Sequence, residues 1–171
     1  MSPWLLGWIG GAREGSFKIV RNLTSAELQE RFPKLKPGTY TLISKATARY
    51  NCVAFVNDDE RHWWEPGMYG GRYHWPNNNR QDTLENWCSI FRAIGYEETD
   101  NQGTESGYEK VAIYVSLQDM LPSHVARSDG KTWKSKLGKG QDLEHYSLEV
   151  FEGDQAEEYG IVTAVFRRAI K

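Results

Sequence analysis

Cysteine and histidine are the residues of this chain best suited to covalent chemistry at neutral pH, and both are scarce: Cys52 and Cys88, then His62, His74, His124 and His145. Cys52 stands in ARYNCVAFVNDDERHWWEP, directly behind Asn51 and ahead of a short apolar run. The run NCVAFV is too short to separate helix from strand by periodicity, and a helix opened by the cysteine is the reading that nucleophile chemistry needs. A helix N-terminus and a neighbouring imidazolium both stabilise a thiolate, which is the nucleophilic form. His124 opens the strand-like run HVARS, which ends at Asp129-Gly130, a favoured two-residue hairpin turn. With that turn Ser128 faces Lys131, Ala126 faces Trp133 and His124 faces Ser135, leaving the imidazole among small neighbours. A Cys on an early helix followed much later by a His on a strand supplies a nucleophile and a general base. Such a site also needs a group that orients the imidazole and N–H groups that hold an oxyanion. The competing reading makes Cys52 a small buried residue and His124 an ordinary hairpin position.

The remaining candidates carry paired readings. Asp142 and His145 lie three apart, so on a helix they share a face, either as part of the site or as a capped helical turn. His62 and His74 sit beside Trp pairs, but neither they nor the two cysteines offer the fixed spacing of a metal site, so no metal and no cofactor is expected. Trp64, Tyr73 and Trp75 either wall a substrate groove, as rigid rings do at low entropic cost, or close the loop onto the sheet. Trp133 is expected as core or groove floor. Asp58, Asp59 and Glu60 read as a solvated loop face.

The elements that must position these residues follow from local signals. Residues 25–32, SAELQERF, follow Thr24 as an N-cap and stop at Pro33, which gives a short helix. TYTLIS (39–44) is a short strand. Residues 57–82 form the longest loop-like stretch, rich in Asn, Gly, Pro and Trp. TLENWCSIFRAIG (83–95) is the clearest helix: Thr83 caps it, Leu84, Trp87, Cys88 and Phe91 share a face, and Gly95 ends it. Cys88 is therefore core. KVAIYV (110–115), HVARS (124–128), TWKSKL (132–137) and GIVTAVFRR (160–168) read as strands. Helices first and mostly antiparallel strands after them give an α+β class.

The totals set outer bounds. One domain over residues 1–171 fits the length, with 1–40 as an N-terminal extension. Two cysteines are too few for a disulfide framework. The net charge of −2 argues against a nucleic-acid footprint. The apolar residues 4–9 lack a basic start and are too short to span a bilayer, so a cytoplasmic protein without membrane partners is expected.

The series YNCVAF, HWWEP, YHWP, TLENW, EKVAIY, HVAR, then GKTWKSKLGKGQDLEH and a terminal Arg pair resembles a bacterial domain family of unknown function that is grouped with papain-like cysteine hydrolases of the NlpC and CHAP type. The resemblance covers residues 42–168. It implies a papain-like fold, with N-terminal helices packed on a mostly antiparallel sheet, Cys52 as nucleophile and His124 as base. NlpC-like enzymes take an orienting residue from the strand after the histidine, here Ser135, and Asp142 is its rival. The function so implied is a cysteine peptidase or amidase acting on a peptide, isopeptide or peptidoglycan-type amide. The alternatives are an inactive papain-like module that binds a protein partner through its Trp-rich loop, and a toxin or defence effector.

Overall fold

A computed structural model describes residues 20–71 and 73–171, so the apolar residues 4–9 lie outside the described residues. The first helix, α1 (Ser25–Arg31), starts where expected. The Thr24 hydroxyl accepts from the Glu27 N–H and the Glu27 carboxylate accepts from the Thr24 N–H. This reciprocal cap satisfies two donors that a helix start leaves open. Strand β1 (Tyr40–Ser44) follows. The Cys52 run is helical, as α2 (Cys52–Val56), and all five residues are buried. Two short strands, β2 (Trp63–Trp64) and β3 (Tyr73–His74), pair in parallel within the long loop. Helix α3 (Leu84–Ala93) is capped by Thr83 and buries Trp87, Cys88, Ile90 and Phe91, as its pattern requires.

Six more strands complete the chain: β4 (Glu97–Glu98), β5 (Tyr108–Val115), β6 (Pro122–Ser128), β7 (Trp133–Lys136), β8 (Asp142–His145) and β9 (Ile161–Ala169). They join β1 in a seven-stranded sheet of order β1-β8-β7-β6-β5-β9-β4, antiparallel throughout. The α+β class with an antiparallel sheet is therefore shown. The helices are not gathered at the N-terminus, because α3 lies mid-chain and a 3-10 turn at Leu148–Phe151 sits between β8 and β9.

Two expectations need correction. The β6–β7 turn is not two residues long: Ser128 pairs with Trp133, so residues 129–132 form a four-residue loop. Gly130 has φ +92° and a Cβ there would stand 2.9 Å from the Glu105 carbonyl, so the loop is folded against a neighbouring segment. The register moves by an even step, which keeps every side chain on its face. The second correction concerns DLEH, which is strand β8 rather than a helical turn. Asp142 and His145, three apart on a strand, point to opposite faces.

The sheet separates two cores. One face packs Cys52, Val53 and Phe55 of α2 and Trp87 and Phe91 of α3 against Val111, Ile113, Val125 and Phe166. The other packs Leu28, Phe32, Leu35, Phe151 and Tyr159 against Ala112, Tyr114, Ala126, Trp133 and Leu143. Adjacent strand residues therefore serve different cores, Val125 the first and Ala126 the second.

Candidate functional site: two buried polar clusters and a ring-rich face

Cys52 is the first residue of α2, and Asn51 fixes that start. The Asn51 Oδ1 accepts from Ala54 N at 3.1 Å and from Trp64 N at 3.1 Å, while its Nδ2 donates to the Trp64 carbonyl at 2.8 Å. One side chain thus caps the helix and ties it to β2. The thiol is buried, with the residue 4% exposed. Burial pushes its pKa up to about 11, and the backbone N–H groups of Val125 and Val53 and the charge of Lys136 offset this only in part. A helix start lowers a thiol pKa only where the thiolate keeps some solvation.

The same face of the sheet holds a cluster of polar groups. Lys136 and Asp142 are cross-strand partners on β7 and β8. Lys136 Nζ donates to the carbonyls of Thr47, Gly138 and Gly140 at 3.0, 2.7 and 2.5 Å. Its three donors are all committed, so it is held as an ammonium although burial lowers its pKa to about 8. Asp142 Oδ2 accepts from Ser44 Oγ at 2.5 Å and Tyr50 Oη at 2.8 Å, and burial raises its carboxyl pKa against those bonds. Among the described residues its Oδ1, which is buried, has no hydrogen-bond partner.

His124 belongs to the other face. It stacks on Tyr159, with centroids 4.1 Å apart and planes within 7°, and lies near Tyr114 and Phe151. Its Nε2 is 3.0 Å from Ser135 Oγ, which is 2.9 Å from His145 Nε2, and His145 Nδ1 is 2.9 Å from the Ser147 carbonyl. The directions follow from the last link. A carbonyl only accepts, so His145 carries its proton on Nδ1 and its Nε2 accepts from the Ser135 hydroxyl. Ser135 Oγ then accepts from His124 Nε2–H. Burial holds both imidazoles neutral: His145 falls to about 4, and His124 lies well below the ordinary imidazole value, with His145 and Arg31 adding to the shift.

The four residues expected to form one catalytic group are thus divided. Cys52 and Asp142 lie on the α2 face, while His124 and Ser135 lie on the opposite face with His145. Among the described residues no hydrogen bond joins the Cys52 thiol to an imidazole. Ser135 does take the imidazole proton of His124, as an orienting residue would, but the ring it holds is turned from Cys52.

The expected substrate-binding rings also divide. Trp75 and Trp133 are core side chains, 4% and 1% exposed, and Trp133 also borders an open surface depression with Tyr146, Ser147 and Leu148. Trp75 Nε1 donates to Asn86 Oδ1, which anchors the loop on α3. Trp64 and Tyr73 are half-buried. Asp59 is not a solvated loop residue: it accepts from Arg61 N, His62 N, Trp64 Nε1 and His62 Nδ1. These bonds and the Trp64 indole bring its pKa down to about 2 against a burial effect of opposite sign. Asp58 is exposed and pairs with Arg127.

Ring contacts that the sequence leaves scattered are gathered in the long loop in two groups, linked by the charge of Arg80 acting on His74. His74 lies edge-on to Trp64 at 4.6 Å and 5.9 Å from His62, and Arg80 stacks over Tyr69 at 4.9 Å while donating to the Met68 carbonyl. Tyr69 and Met68 are exposed, at 70% and 39%. The signal that could have found them is the repeated pairing of His with aromatics in RHWW and YHW, which β2 and β3 set side by side.

Among the described residues no helix is long and apolar enough to cross a membrane. No curated protein and no solved structure matches the chain. A family model described as a domain of unknown function, DUF7689, matches residues 41–167, from within β1 to within β9. The match takes in both polar clusters and the ring-rich face, and the chain belongs to the DUF7689 family.

Proposed function

We propose that this domain is a recognition module without thiol catalysis, which holds a protein partner on the face formed by His62, Trp64, Met68, Tyr69, His74 and Arg80. The observation that carries this reading is the placement of Cys52 and His124 on opposite faces of the sheet. A thiol pushed up to about 11 and an imidazole held neutral inside a second core are two structural fixtures. The exposed face has the composition that dominates binding energy elsewhere, with aromatic, Met and Arg side chains gathered on a scaffold fixed by Asn51, Asp59 and Asn86. The papain-like frame is the finer reading of the fold. A cysteine heading a buried helix that packs on an antiparallel sheet supports it, and the orientation of the His124 strand counts against it.

The hydrolase reading, on a peptide, isopeptide or peptidoglycan-type amide, rests on the position of Cys52 behind its Asn51 cap. The two readings separate in a capture experiment with the full chain as bait. A recognition module retains the same protein in wild type and in Cys52→Ala, and loses it in the double variant Met68→Ala, Tyr69→Ala, whose exposed positions leave the fold intact. Retention that is indifferent to Met68 and Tyr69, or absent in wild type, would count against the proposed face.

A further inference from the structure

Chain order separates His62 from His74, and the parallel pairing of β2 and β3 restores them to one spot, with ring centroids 5.9 Å apart. Two imidazoles that share one cation at about 2.0–2.1 Å per nitrogen have centroids roughly 5–6 Å apart. The observed separation falls in that range, so rotation of the side chains alone can bring one nitrogen of each ring to a shared cation. Asp59 adds a second observation. Its Oδ2 lies 2.8 Å from His62 Nδ1, and a carboxylate accepts, so Nδ1 carries the proton and Nε2 presents a bare lone pair. A carboxylate behind a histidine in this way fixes the tautomer and raises the basicity of the ligating nitrogen. Asp59 itself is held by Arg61 N at 2.8 Å and Trp64 Nε1 at 2.7 Å, so it keeps the ring in place. The His62 side chain is 46% exposed, so the ring reaches solvent. The His74 ring is braced by Trp64.

We propose that His62 and His74 form an open two-histidine site for a divalent transition-metal cation of the zinc, nickel or copper(II) type. Imidazole suits these ions and not the oxygen-seeking calcium or magnesium. Among the described residues no cluster of three or more His, Cys, Asp or Glu side chains surrounds a common point, so two protein ligands hold the cation. The remaining positions stay open to water or to a donor from a bound partner. The guanidinium of Arg80, the cation that acts on His74, is drawn over the Tyr69 ring and occupied with the Met68 carbonyl. This site is independent of whether Cys52 reacts, and its test reads metal rather than turnover or partner capture.

The test is calorimetric titration of the full chain with zinc chloride, and in parallel with nickel chloride, in a buffer that does not chelate. Wild type, His62→Ala, His74→Ala and Asp59→Asn are compared, each checked for an unchanged thermal melt. The expected result is one site per chain, at least tenfold weaker in either histidine variant and roughly tenfold weaker in Asp59→Asn. No saturable site in wild type, or a site lost in only one histidine variant or in neither, overturns the proposal. Imidazole NMR of unmodified protein gives a check free of mutation: zinc must shift the His62 and His74 resonances together, and movement of only one of them also overturns it.

Discussion

Ser135 joins two imidazoles with one hydroxyl, so Ser135→Ala removes two hydrogen bonds and leaves His124 Nε2–H and His145 Nε2 buried without partners. The expected cost is about 2–4 kcal/mol. Urea unfolding of the variant at pH 7.5 checks it, and a loss under about 1 kcal/mol would mean that the chain of bonds is not formed as described. The same cluster sets a pH dependence. In the unfolded chain both histidines titrate near 6.5, whereas in the folded chain His145 takes its proton only at about 4 and His124 lower than an ordinary imidazole. The unfolded state therefore binds more protons between those values, and stability is full above pH 6.5 and lost as pH falls toward 4, by roughly 3 kcal/mol for His145 alone. The urea midpoint should fall accordingly between pH 7.5 and pH 5. The sequence made these residue types legible as chemistry-bearing, and it also made Ser135 legible as the partner of His124. It could not show which sheet face each one takes. Val125 and Ala126 are both apolar and both buried, so β6 lacks the alternation that marks an inner and an outer face.

Helix α2 has five residues, too few to persist through its own hydrogen bonds. Its stability comes from burial of all five side chains and from Asn51, which makes three bonds that also hold β2. Asn51→Ala should cost about 2–4 kcal/mol, more than loss of an isolated cap, because the Trp64 N–H and C=O lose their partner as well. Thermal unfolding followed by circular dichroism checks this, and a cost within that of an ordinary cap would show that β2 is held by something else. Helices α1 and α3 were readable because each has a cap and a boundary in the sequence, Thr24 and Thr83 before them and Pro33 and Gly95 after them, whereas the five-residue run of α2 is too short to show a period. Strands β2 and β3 were not readable, since two-residue strands show no period. Strand β8 was misread because DLEH is charged and short, and its alternation of Leu143 and His145 with Asp142 and Glu144 is visible only once the paired strand is known.

For the whole molecule, the α+β class was legible from runs of β-branched and aromatic residues broken by turns, while the strand order was not, because it depends on long-range pairings such as β1 with β8. That order decides the functional question. It sends one buried core to α2 and another to the 3-10 turn and Tyr159, and the sheet between them keeps thiol and imidazole apart. The measurement that reads this most directly is the rate of iodoacetamide alkylation at Cys52 from pH 5.5 to 10, resolved from Cys88 by peptide mass spectrometry, in wild type and in His124→Gln. Reaction that is slow at neutral pH, rises only at the alkaline end as a thiol near 11 requires, and keeps its profile in the variant is the expected result. Reaction that persists below pH 7 and loses that acidic limb in His124→Gln would contradict the account and establish an activated cysteine–histidine pair.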